Sequence, residues 1–178
     1  MAALALLSVC TLAWTAADIP APRVVVIAPP TAADAIVIPV AGIHAADLRD
    51  NFSDARAGHV HSALDIMAAR GTPVLAAVDG QVRKIFTSKA GGLTIYETDP
   101  GEHMMYYYAH LDRYADGLIE GLALKRGDVI GYVGTTGNAP HNSPHLHFAI
   151  SILPATKEWW KGEAVNPYPV LMQRGVTR

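Results

Sequence analysis

The run HLHFAISIL, starting at His145, alternates at period two. In a strand, successive side chains point to opposite faces. Leu146, Phe148, Ile150 and Ile152 therefore share one face, and His145, His147, Ala149 and Ser151 share the other. The apolar set faces a core, so the histidines stand on a face that opens to a cleft. Other short runs carry the same strand signature between turn residues. TPVLAAVDGQVRKIF has apolar runs on both sides of Asp79-Gly80, which predicts a hairpin there. AGGLTIYETDPGEHMMYYYAHL predicts a strand from Leu93 to Thr98, a turn at Asp99-Pro100-Gly101 and an aromatic strand. DVIGYVGTTG reads as a short apolar strand closed by glycines. Helical periodicity is poor, with one short turn expected between Asp112 and Leu122. The tail KEWWKGEAVNPYPVL is expected to pack aromatics on the outside of the sheet and to end in a short helical or irregular Pro-rich segment. These signals predict an all-β fold, a small antiparallel sheet or sandwich.

The chain has 178 residues, enough for one domain with a real core. Its formal net charge is −2 and it has no basic stripe, which excludes nucleic acid as a partner. No central run is long enough to span a membrane. The first 17 residues, MAALALLSVCTLAWTAA, read as a secretory leader cut after Ala17. The readings beside it are an uncleaved anchor, the chain's one route to membrane attachment, and a buried N-terminal helix. Bulky Val9 and the short leader disfavour a lipid-modified Cys10. Residues 18–35, rich in proline, read as a linker, and residues 36–178 as the domain. Cys10 is the only cysteine, so a mature chain cut after Ala17 has no disulfide.

Eight histidines against one cysteine direct any metal chemistry to nitrogen and oxygen ligands. An H-x-H pair alone is more often structural than a metal site, but this chain supplies more. HSALDI places His61 four residues before Asp65. If extended, it turns His61, Ala63 and Asp65 one way and Leu64 and Ile66 toward the core. His110 ends YYYAHL, on the side of Tyr106 and Tyr108 if the alternation holds. A catalytic zinc site uses three protein ligands and an open position. Two histidines and one aspartate meet that need and leave two histidines for protons and an oxyanion. Residue chemistry does not say which of His145 and His147 binds metal. Pro140 and Pro144 argue against a helix carrying His141 and His145. His141 reads as a loop residue, with facing substrate as its second reading, His59 as a solvated loop residue, with rimming the groove as its second reading, and His44 and His103 as surface residues. Tyr106, Tyr107 and Tyr108 read as core and rim packing, with Tyr106 or Tyr108 an oxyanion donor only if it reaches the cleft. The glycines of GTTGN and AGG have two readings, turn chemistry or loops that select substrate.

HSALDI, GTPVLAAVDGQV, YYYAHL and GDVIGYVGTTGNAPHNSPHLHF, in this order, resemble the lysostaphin/LytM-type zinc metallopeptidases over Ile38 to Leu171. The resemblance implies an antiparallel fold with a groove across the sheet. It implies export to the periplasm or cell envelope and cleavage of peptide bonds in bacterial peptidoglycan. One zinc per chain would be held by His61, Asp65 and His147, with His110 and His145 as the catalytic pair. Two positions depart from the family pattern. Ala63 stands where Gly is common, and Ala149 where Glu is usual, which removes a hydrogen bond to a site histidine. The rival reading is a non-enzymatic module that binds peptidoglycan or activates a cell-wall amidase. The presence of all five site residues disfavours it. A purely structural metal site is disfavoured because it would call for four closed ligands and leave His110 without a role.

Overall fold

The alternating run forms the strand around which the sheet is built. In the computed structural model, residues 36–56 and 58–173 are described. The leader, Cys10 and the linker lie outside the described residues. In chain order the strands are β1 (Ala55–Arg56), β2 (His59–Val60), β3 (Leu64–Met67), β4 (Pro73–Leu75), β5 (Gly80–Ser88) and β6 (Gly92–Thr98). They continue as β7 (Met104–Tyr114), β8 (Ala123–Leu124), β9 (Val129–Val133), β10 (His145–Ile152) and β11 (Glu163–Val165), followed by the short helix α1 (Pro167–Met172). β1 and β2 pair with each other; the other strands form one antiparallel sheet ordered β11-β10-β7-β6-β5-β8. β3 also pairs with β10, and β9 bridges β7 and β4. Among the described residues, no helix is long and apolar enough to cross a membrane.

β10 pairs with β7 along one edge and divides its other edge between β3 and β11. Leu146, Phe148 and Ile150 are buried against Leu64, Ile66, Tyr108, Leu111 and Ile130. Burial of such side chains contributes about 1.5–3 kcal/mol each. A one-residue slip would expose all three and bury the histidines without partners. That loss is comparable with a domain's whole net stability, about 5–15 kcal/mol, so the register is firmly set.

The hairpin expected at Asp79-Gly80 does not form. β4 pairs with β9, while β5 pairs with β6 and β8. Gly80 is absent from the positive-φ glycines, whereas a two-residue Asp-Gly hairpin turn needs positive φ. The two residues serve other ends. Asp79 Oδ1 accepts the Arg126 N–H at 2.9 Å. A Cβ on Gly80 would lie 2.0 Å from the Thr98 carbonyl oxygen, so glycine is there for close strand approach. The segment expected to turn helically from Asp112 instead begins as strand, since β7 continues to Tyr114. The turn between β6 and β7 forms as expected, with Asp99 Oδ1 accepting the N–H groups of His103 and Met104.

The tail pairs β11 with β10 and then turns into α1. Asn166 caps α1 by accepting the Tyr168 N–H at 2.9 Å, with Pro167 opening the helix. Buried Leu171 anchors it to the core. Ahead of β11, Trp159 packs on Tyr96 and Phe86. The strand register places Tyr96 opposite Tyr107, and Tyr107 opposite Ala149. The tail aromatics therefore cover the sheet face that carries the histidines.

Candidate metal centre and groove

Asp65 on β3 and His147 on β10 are direct cross-strand partners. Side chains so paired stand on one face within contact distance. His61 joins them by a different route. Ser62 has φ 54°, so HSALDI is not extended throughout, and β3 starts only at Leu64. Ala63 is consequently fully buried and does not share the His61 side. The backbone turn at Ser62 brings His61 over Asp65. His61 Nε2 lies 2.9 Å from Asp65 Oδ1 and 3.1 Å from His147 Nδ1. His147 Nδ1 lies 3.2 Å from the same carboxylate oxygen.

These three atoms fit a metal ion by their chemistry. His61 Nδ1 lies 3.0 Å from the Asn51 carbonyl oxygen, a bond that places its proton on Nδ1 and leaves Nε2 an acceptor. Acceptors that converge on a carboxylate oxygen repel unless a proton or cation stands between them. Ligands bound at about 2.1 Å to a tetrahedral zinc stand about 3.4 Å apart, so the trio needs only a slight spread. Arg56 Nη2 donates to Asp65 Oδ2 at 2.8 Å, leaving Oδ1 for the cluster. Burial by itself pushes the Asp65 carboxyl up. The His147 hydrogen bond and the imidazoles of His61, His145 and His147 outweigh it and hold the group at about 2. Burial lowers His61, which favours the neutral, metal-binding imidazole.

His110 reaches the groove through a bulge. From Ile95 to Leu93, β6 advances two residues while β7 advances three, from Tyr108 to Leu111. The extra residue breaks the alternation, and His110 itself takes φ 61°. Tyr106 and Tyr108 therefore stay in the core, while His110 swings to the other face. The expectation that these three share a side is corrected accordingly. The tyrosine that lines the groove is Tyr107. His110 Nδ1 bonds the Thr136 carbonyl at 2.9 Å, and His145 Nδ1 the Ser143 carbonyl at 2.8 Å. Both rings thus present Nε2 to the groove. Their centroids are 5.0 Å apart, and His110 is 5.6 Å from His147. Burial depresses His110 to about 4, so it is neutral at physiological pH.

The structure brings His61, Asp65, His110, His145 and His147 together along one groove of about 610 Å³. That is the size of a ligand cleft. His59 is exposed on the groove wall, while His44, His103 and His141 are exposed outside its lining. Ala149 is paired with Tyr107, whose ring meets His147 at 6.0 Å. An aromatic edge therefore stands near the site where the family pattern would add a carboxylate. Sequence reading missed Arg56, Asn51, Thr136 and Ser143. Three of these act through backbone carbonyls, which carry no residue signature, and Arg56 arrives from the separate β1–β2 hairpin. The glycine loops also proved more than turns. A Cβ on Gly92 would lie 2.2 Å from Thr136 Oγ1, and one on Gly137 2.2 Å from the Ala90 carbonyl. The two loops can pack only as glycines, and together they hold His110, whose N–H donates to the Gly91 carbonyl at 2.8 Å.

A model of peptidase family M23 matches residues 59–167, more than half of the chain and all five of these residues. The chain belongs to peptidase family M23. The chain is also similar to known peptidases in sequence and in fold. The L-Ala–D-Glu endopeptidase of Bacillus subtilis is 32% identical over 131 residues, covering 69% of this chain and 39% of that protein. The DD-carboxypeptidase/endopeptidase Mpg of Neisseria meningitidis is 34% identical over 119 residues, covering 64% of this chain and 23% of that protein. The catalytic domain of lysostaphin from Staphylococcus simulans superposes with a TM-score of 0.55 at 30% identity, covering 64% of this chain and 80% of that one. The chain thus spans well under half the length of these two curated relatives. M23 membership supports a hydrolase of peptide bonds, and the His-Asp-His cluster is compatible with a metal ion.

Proposed function

We propose that residues 36–178 form an exported zinc endopeptidase domain that hydrolyses peptide bonds in the stems or cross-links of bacterial peptidoglycan. The observation that carries this reading is the convergence of three ligand atoms, within 3.2 Å of one another, beside two imidazoles with Nε2 facing an open groove. The relatives named as an L-Ala–D-Glu endopeptidase and a DD-carboxypeptidase/endopeptidase support that substrate class.

In this reading His61 Nε2, Asp65 Oδ1 and His147 Nδ1 hold one zinc. Bound there, zinc supplies Lewis-acid polarisation of a carbonyl and lowers the pKa of water. The protein's own groups do the rest. Asn51 fixes the His61 tautomer, and Arg56 fixes the carboxylate. His110 and His145 divide two tasks between them. One accepts the proton of the attacking water at Nε2 and passes it to the leaving amine. The other, when protonated, hydrogen-bonds the developing oxyanion. The carbonyls of Thr136 and Ser143 keep both rings oriented throughout.

The test is release of new amino termini from purified peptidoglycan by the protein alone, with His147→Ala as the blank. Chelation should stop release and zinc should restore it. Equal release by wild type and blank, with wild type stimulating an added amidase, would replace the peptidase with the regulatory module.

A further inference from the structure

A row of aromatic rings leads out of the groove. Tyr107, in the groove lining, meets His147 with ring centroids 6.0 Å apart. Tyr96 follows at 4.6 Å from Tyr107, and Trp159 at 4.7 Å from Tyr96. Trp159 then meets Phe86 at 6.0 Å and Trp160 at 5.5 Å. The strand register places Tyr107, Tyr96 and Lys84 on one sheet face, with Thr94 and Phe86 paired alongside. The row ends in solvent, where Trp160 is 62% exposed and Phe86 42%. Trp159 touches both of these exposed rings, which joins them into one contiguous apolar patch of the kind that marks a binding surface.

Charges at the rim indicate the kind of ligand. Lys84 is paired with Glu120 at 2.8 Å, and Lys161 with Glu158 at 2.9 Å. These two lysines are each neutralised by a carboxylate, and Lys157, two residues before Trp159, is held by the Gly101 and Glu102 carbonyls, so the aromatic surface is bordered by cations that are already engaged. A neutral ligand with an apolar face and a hydroxylated edge suits that surface. An anionic membrane would instead favour unpaired lysines and arginines beside the aromatics.

We propose that Tyr96, Phe86, Trp159 and Trp160 form a subsite for pyranose rings of a glycan strand, contiguous with the groove. The proposal rests on the peptidoglycan reading above, because there the peptide to be cut is joined covalently to a glycan. A peptide lying in the groove brings its sugar to the groove's flank. Tyr107, shared by groove and aromatic row, makes the two surfaces continuous. The C–H face of a pyranose ring stacks on an indole or phenyl face, and its hydroxyls reach the polar rim.

The experiment uses glycan strands freed of all peptide by an amidase, so that no peptidase activity enters the result. Wild type, Trp160→Ala and Trp160→Phe are titrated by calorimetry. Trp160 is exposed, so its replacement should leave the fold intact. Wild type should bind, Trp160→Ala should bind roughly ten-fold more weakly, the order of one stacked ring, and Trp160→Phe should retain most of the affinity. All three should cleave a short sugar-free peptide at the same rate. Absence of strand binding by wild type, or equal binding by Trp160→Ala, overturns the subsite. So does binding of anionic vesicles, but not strands, that Trp160→Ala loses. Strand binding without peptide cleavage would remove the peptidase reading and leave the subsite standing.

Discussion

At the scale of single residues, the site separates five side chains by what their nitrogens and oxygens face. His61 and His147 bring a ring nitrogen within 3.2 Å of Asp65 Oδ1, His145 Nε2 stands off at 3.7 Å from the same oxygen, and His110, held by the Thr136 carbonyl, faces the groove. The consequence is measurable. His61→Ala, Asp65→Ala and His147→Ala should each lose zinc from a protein that otherwise carries about one ion per chain. His110→Ala and His145→Ala should keep the ion and lose about two to four orders of magnitude in turnover, as acid–base groups do. Metal analysis beside steady-state kinetics checks both halves, and equal zinc loss in His145→Ala and His147→Ala would show the pair misassigned. Activity should also fall toward acid pH, where protonated ligands release metal.

At the scale of elements, two devices support the site from below and beside it. The first is the contact between the loop before β6 and the loop after β9, with Gly137 at φ 74°. Gly137→Ala would place a Cβ against the Ala90 carbonyl, destabilising the fold by about 1–3 kcal/mol. It would also displace Thr136 and with it His110. Urea unfolding and turnover should fall together while zinc stays bound; unchanged values in both would contradict the packing argument. The second device is Glu97 on β6, fully buried and hydrogen-bonded to Tyr108 and to the Ala77 N–H. Burial raises it from 4.5 to about 7 despite those bonds. A raised acid favours the folded state below its unfolded pKa, so that stability is lost as pH rises from about 4.5 to about 7. His110 has the opposite sign, being lowered from 6.5 to about 4. Comparing Glu97→Gln with wild type pairwise cancels it. From pH 4.5 to pH 8 the difference in unfolding free energy should shift toward the variant by on the order of a few kcal/mol. Parallel pH profiles would mean that Glu97 does not change ionisation on folding.

At the scale of the whole molecule, a sheet built around β10 presents a core on one side and a groove with an aromatic flank on the other. The proposed substrate, peptidoglycan, lies outside the cytoplasm, so the proposed activity calls for export. Envelope-fraction protein should begin at Asp18 by N-terminal sequencing, with Ala17 the last leader residue. Intact Met1 in a soluble cytoplasmic pool would reject export, and intact Met1 in membranes would favour a retained anchor.

The sequence by itself determined the strand character of HLHFAISIL, the burial of Leu146, Phe148 and Ile150, and the five side chains that gather at the site. Those readings rest on side-chain alternation and ligand chemistry, which are local properties of the chain. The tertiary structure decided the rest. It placed Asp79-Gly80 between strands rather than at a hairpin turn, because Asp79 holds a distant loop and Gly80 lies against Thr98. It turned His110 away from Tyr108 through one extra residue in β7, and it brought His61 over Asp65 through a left-handed Ser62. Bulges and positive φ at non-glycine residues arise where surrounding contacts outweigh local preference. Thr136 reaches His110 across the fold, Arg56 joins from a hairpin of its own, and Asn51 and Ser143, though near their partners in the chain, act through backbone carbonyls that no residue pattern encodes.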